Sequence, residues 1–200
     1  MQIIIFENNG EQVGIAESGR SIILPIFLTP LTCGGFAAKD KKGILVFDRE
    51  RKLIKEVEFT QLDNTFGLAE DDKGYFVTIN QVFEVQGCLV LPEKTDLVYI
   101  DPNTGEIVKW VNMVDVIEDP RRSNCRYLAI KDCIVYVVDI GLGRVYRLQG
   151  DQADVFGDER GFKGPMSLTV DSVGNLLIAD TVNKRLSVIK KRHLGINWKR

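Results

Sequence analysis

The chain has a single histidine, His193, set in a basic C-terminal stretch with Lys190, Lys191 and Arg192. That scarcity removes a histidine-rich zinc site, and it leaves any Ser-His-Asp or Cys-His arrangement dependent on a residue outside the patterned part of the chain. The four cysteines (Cys33, Cys88, Cys125 and Cys133) show no C-x-x-C spacing. They read as free thiols of a reducing compartment, with Cys125 and Cys133 in neighbouring strands on or near the core, and a cytoplasmic location is expected. The longest apolar run, Ser21 to Leu31, is about half the length a membrane span needs and is broken by Pro25 and Pro30. No basic segment opens the chain, so neither a signal peptide nor a membrane partner is expected. An excess of cations is also missing: 26 Lys and Arg stand against 28 Asp and Glu, so nothing global draws the chain to nucleic acid.

What is present is a repeat. Residues 161 to 189 read GFKGPMSLTVDSVGNLLIADTVNKRLSVI. Leu168 and Val170 sit two apart, as one face of a strand requires. Asp171 to Gly174 supplies a turn, a second apolar run ends at Asp180, and a polar turn leads to a third strand from Arg185. This is an antiparallel meander. A second copy runs from Asn124 to Leu148, where Asp139 and Arg144 repeat the places of Asp180 and Arg185. A third begins at Thr65 and carries an insertion before its later strands, and the most degenerate spans Gly34 to Phe59 with Asp40 in the acid's place. Repeats of this period specify stacked or ring-like architectures.

Pro165, Asp171, Gly174, Asn175, Ala179-Asp180, Asn183, Lys184 and Arg185 resemble the NHL repeat, a β-propeller blade family. The resemblance is close in the last copy and weak in the first two. It implies an all-β chain built of four-stranded antiparallel blades, about four to five in number, as one domain over residues 1–200. The blades are placed at about 20–59, 65–115, 124–158 and 165–190, with strands in 2–17 completing or preceding a blade. Since NHL propellers usually have six blades, a partial propeller or a fragment is expected ahead of a closed four-bladed ring.

The repeated acids Asp40, Asp139 and Asp180 read as acceptors for turn N–H groups, and Arg144 and Arg185 as clamps on those acids. The same turns emerge on one propeller face, so Arg144, Lys184 and Arg185, with Arg121, Arg122 and Arg126 from the connections between blades, form a candidate partner surface. The insertion Gln81 to Thr95 predicts a projecting hairpin that is apolar on both sides, which suits either folding back or covering a partner through Phe83, Val85 and Leu89. No cofactor, metal or catalytic residue is assigned.

The expectation is therefore a non-catalytic interaction or scaffold propeller that binds a protein, with RNA as a second candidate. Relatives that resemble the chain often serve as target-recognition modules behind RING and B-box domains; no cysteine pattern of those domains lies in these residues. The alternative is a metal-dependent hydrolase resembling gluconolactonase-type propellers, with Glu70, Asn124 and Asp171 as candidate ligands.

Overall fold

A computed structural model describes residues 3–6, 12–16, 27–40, 42–59, 62, 64–86, 89–157 and 161–193. Strands β3 (Phe27–Pro30), β4 (Phe36–Lys39), β5 (Gly43–Phe47) and β6 (Leu53–Glu58) form one antiparallel sheet in chain order. The next comprises β7 (Thr65–Glu70), β8 (Phe76–Gln86), β9 (Leu89–Ile100) and β10 (Ile107–Asn112). The third comprises β11 (Cys125–Lys131), β12 (Ile134–Asp139), β13 (Arg144–Gln149) and β14 (Gln152–Phe156). The fourth has three strands, β15 (Pro165–Val170), β16 (Leu176–Asp180) and β17 (Arg185–Ile189), and a 3-10 turn follows at Lys191–His193. Strands β1 (Ile3–Phe6) and β2 (Gln12–Ala16) pair as a separate two-stranded sheet. They precede the first blade and do not complete the last one.

The burial pattern of each second or third strand shows how the sheets stack. In β12 every residue is buried, and successive side chains enter different cores: Val135 and Val137 pack with blade 2, while Ile134, Tyr136 and Val138 pack with blade 4. Strand β5 does the same, with Ile44 and Val46 facing blade 2 and Leu45 and Phe47 facing β1–β2 through Ala16. A strand covered on both faces needs a continuous apolar run, which GILVF and IVYVV supply. In β16 the pattern alternates instead. Leu176 and Ile178 are buried against blade 3, whereas Leu177 and Ala179 face outward. Fully burying a Leu, Ile, Val or Phe is worth about 1.5–3 kcal/mol, so these interblade clusters hold the assembly together. The inner strands β3, β7, β11 and β15 surround a central cavity of about 440 Å³. The molecule is a four-bladed β-propeller.

The insertion in blade 2 is the projecting hairpin that the sequence suggests, formed by lengthening β8 and β9, whose antiparallel pairing runs on from Phe76↔Ile100 to Gln86↔Leu89. One sequence expectation changes. Cys133 is not in the core. Cys125 is buried, but Cys133 is exposed in the β11–β12 turn, where Asp132 (φ 52°) and Cys133 (φ 58°) both adopt left-handed backbone. That geometry is a two-residue hairpin turn of the type that favours glycine.

Candidate partner-binding cleft

In blades 3 and 4 the turn between the second and third strands meets the connection that enters the first strand. Asp180, with none of its surface exposed, accepts the Lys163 N–H at 2.7 Å on one carboxylate oxygen. Its other oxygen takes Asn183 Nδ2 at 2.8 Å and Arg185 Nε at 2.7 Å. Asp139 accepts the N–H groups of Asn124 and Leu142. Asp40 accepts those of Lys42 and Gly43. The repeated acids therefore serve the turns, as a short acceptor at a strand end does. Arg185 clamps its acid as the sequence suggested. Arg144 does not: it pairs with Glu118, and the Tyr146 hydroxyl approaches Asp139 instead. Burial, with Asp139 beside it, pushes the Tyr146 phenol above its ordinary value.

Blade 2 departs from this scheme. Asn80 and Asp96 occupy the paired positions held by Asp139 and Arg144 in blade 3. No tight turn forms there, and β8 and β9 continue as an arm beyond the ends of β7 and β10. Gln81 and Thr95, both buried, join at the arm's base through Gln81 Nε2 and Thr95 Oγ1 at 3.2 Å. Farther out, Phe83 and Pro92 are a cross-strand pair, half-buried, while Val82, Glu84, Glu93 and Lys94 are exposed.

The arm and the connection into blade 3 enclose a cleft of about 620 Å³. Phe83 and Pro92 form one wall, Asn64 and Phe66 the floor, and Arg121, Arg122 and Arg126 the other wall. The connection is ordered by turn bonds from the Arg122 and Ser123 N–H groups to the Asp119 carbonyl. It is drawn against blade 3 by the Ile140 N–H, which donates to the Asn124 carbonyl. Gly141 permits that approach, since a Cβ there would collide with the Arg122 carbonyl. Arg126 lies 3.7 Å from the Phe66 ring centroid and donates from Nε to Asn124 Oδ1, which fixes its plane. Burial lowers its pKa from the ordinary value, yet a guanidinium stays charged at neutral pH. Arg121 and Arg122 are exposed, and among the described residues neither has an ion-pair partner. Among the described residues no carboxylate side chain lines the cleft.

Of the residues singled out in the sequence, the structure thus gathers Phe83, Arg121, Arg122 and Arg126 in one place. Val85 and Leu89 are strand residues farther along the arm whose side chains lie outside the described set. Arg144 is on the same rim but is occupied by Glu118. Lys184 and Arg185 are one blade farther on, with Arg185 in a separate groove beside Phe156, Phe162 and Ile189. Phe66, Asn64 and Pro92 were missed, and Asn124 was singled out only as a metal ligand; their roles here depend on how blades 2 and 3 face each other, which no local pattern displays.

The candidate metal ligands are not brought together. Glu70 ends β7 and lines the central cavity, where its carboxylate accepts the Thr32 N–H at 2.6 Å. Asp171 follows β15 and is taken up by its own turn, accepting from Val173, Asn175 N–H and Asn175 Nδ2. Asn124 precedes β11 at the other end of the inner strands. Among the described residues no group of three His, Cys, Asp or Glu side chains converges as a metal site would require.

Similarity to solved structures agrees on the fold. The chain is a β-propeller. It superposes on a protein of unknown function from Bacteroides caccae with a TM-score of 0.61 at 12% identity, over 95% of this chain and 65% of that one. Virginiamycin B lyase from Staphylococcus aureus gives 0.61 at 10% identity, over 88% and 55%. A chain of the nidogen/laminin complex gives 0.65 at 15%, over 92% and 65%. This propeller therefore spans between 55% and 65% of the length of those chains. No sequence family and no curated protein matches it. These structures include a lyase and a chain of the nidogen/laminin complex, so the likeness extends to architecture alone.

Proposed function

We propose that this chain is a non-catalytic binding propeller of NHL type that recognises a protein through the cleft between the blade 2 arm and the connection into blade 3. The observation that carries the reading is the convergence of Phe83, Arg121, Arg122 and Arg126 on one concave site. An apolar wall facing an arginine wall suits a protein segment that presents both apolar and acidic groups. RNA is the weaker candidate. The Phe66 ring is already covered by Arg126, and the chain's formal charge of −2 offers little phosphate affinity.

The test is affinity capture from the source lysate with wild type, Phe83→Asp and Arg121→Glu/Arg122→Glu, with and without RNase. A protein retained by wild type after RNase and lost by both variants supports the reading. Capture that is indifferent to both variants, or that vanishes with RNase, refutes it. The hydrolase alternative predicts that calcium or zinc raises the unfolding temperature, because a ligand bound to the native state must stabilise it.

A further inference from the structure

The cleft has a strand edge beside it. Strand β7 begins at Thr65, which pairs with Asn80, so among the described residues nothing pairs with β8 beyond Gln81 on that side. The phase of the edge is set by one bond: the Gln81 N–H donates at 3.0 Å to the Asn64 carbonyl, away from β9. Backbone groups of a strand alternate between its two edges. The pairing of β8 skips a residue only on β9, at Glu93, so β8 itself keeps its alternation. Phe83 and Val85 therefore present their N–H and C=O groups on the Asn64 side. Asn64 and Phe83 both line the arginine cleft. An edge left unpaired among the described residues is a template for an added strand, and its flanking side chains select what is added.

Resting on the functional reading above, we propose that the cleft takes an extended acidic peptide as an added strand on the β8 edge at Phe83 and Val85. Carboxylates of alternate residues meet Arg121 and Arg122, and the residues between them pack on Phe83 and Pro92. Complementary charge favours this occupant, since among the described residues three arginines and no carboxylate line the cleft.

Fluorescence anisotropy on the full chain tests it, using a fluorescein-labelled peptide that alternates Glu with Val. The controls are the matching Lys–Val peptide, a uridine-only RNA, and two Glu–Val peptides N-methylated at either the Glu or the Val amides. The expected result is selective binding of the Glu–Val peptide, weakened about tenfold by Arg121→Glu/Arg122→Glu, which replaces exposed residues. One N-methylated phase should lose about tenfold while the other binds normally, because only alternate amides face the edge. Equal binding of the Lys–Val peptide, tighter binding of the RNA, or indifference to N-methylation in both phases overturns strand addition. If lysate capture still depends on Phe83 while the peptide fails, only this inference falls. If capture is itself indifferent to Phe83→Asp and Arg121→Glu/Arg122→Glu, the functional reading falls with it.

Discussion

Lys39 lies in β4 with 1% of its surface exposed, its Nζ donating to the Thr65 carbonyl at 2.8 Å and lying 5.6 Å from the Phe27 ring centroid. Burial lowers its pKa from 10.5 to about 8, against Asp40, which acts to raise it. Between those two values the unfolded chain holds a proton that the folded chain has released. Unfolding therefore takes up a proton, and rising pH disfavours it. Lys39 contributes an unfavourable term of about 3 kcal/mol below pH ~8 that fades toward pH ~10.5. Tyr99, Tyr136, Tyr146 and Cys125 act oppositely, since burial raises each of them and the unfolded chain loses those protons first. The Lys39 signal is consequently read as the difference between wild type and Lys39→Met. The methionine keeps much of the apolar stem but leaves the Thr65 oxygen without its donor, at a cost of about 1–3 kcal/mol. Near pH ~7 the two effects offset, and the variant is expected to match wild type or exceed it by up to about 2 kcal/mol. From there to pH ~10.5 the difference should move by about 3 kcal/mol in favour of wild type. Urea unfolding followed by circular dichroism, repeated across the window, measures this. A difference that stays flat would refute the reasoning, because it would mean that Lys39 titrates in the folded chain as it does in water.

Asp180→Ala should cost about 3 kcal/mol in urea unfolding at neutral pH, because three donors lose a buried charged acceptor. Burial works to raise the Asp180 carboxyl, but bonds from Asn183, Lys163 and Arg185 hold it below its ordinary value of 3.8. Its contribution is therefore present above that value and lost as pH falls below it, so an acid titration of wild type against Asp180→Ala should converge. Cys133→Gly should raise the thermal midpoint by a few degrees, since glycine adopts the left-handed turn without steric cost; an unchanged or lower midpoint would contradict the turn assignment. Gly141→Ala should destabilise by about 1–3 kcal/mol and weaken binding in the cleft, because the added methyl drives the Arg122 connection away from blade 3; calorimetry and the peptide assay read the two effects.

Much of the fold was legible because the turn chemistry is local. Asp171 with Gly174 and Asp180 with Arg185 lie within a few residues of their partners, so spacing alone reveals them. Apolar runs such as Ile134 to Val138 announce strands covered on both faces. The misses are of another kind. Arg144 reaches Glu118, 26 residues away in the chain, because the connection into blade 3 passes over its turn. Lys39 is an ordinary charged residue in the sequence, and its burial depends on blade 2 closing over it. Arg126 carries the signature of a rim cation, but its stacking partner Phe66 comes from the neighbouring blade. Each of these contacts is set by how two sheets face each other, and the repeat encodes only one sheet at a time.

The arm shows why the distinctive site sits where the repeat fails. In blades 3 and 4 an acid gathers the N–H groups of a tight turn and of the incoming connection, and that constraint leaves no freedom for other use. In blade 2 Asn80 and Asp96 replace the acid and the arginine. Asp96 is buried and paired with Lys94 Nζ at 2.9 Å, and the link to the incoming connection passes to the Gln81 backbone. Beyond that bond β8 and β9 pair only with each other among the described residues. The interblade clusters that hold the propeller include Val77, Ile79 and Leu97, but none of the arm's described side chains. Side chains that the core does not need can change without unfolding it, so a surface specific to one partner can be built there at little cost to stability. The arginines opposite are positioned by blade 3, whose turn is intact. A cationic wall from a regular blade and an apolar wall from an irregular one together make the cleft proposed for recognition.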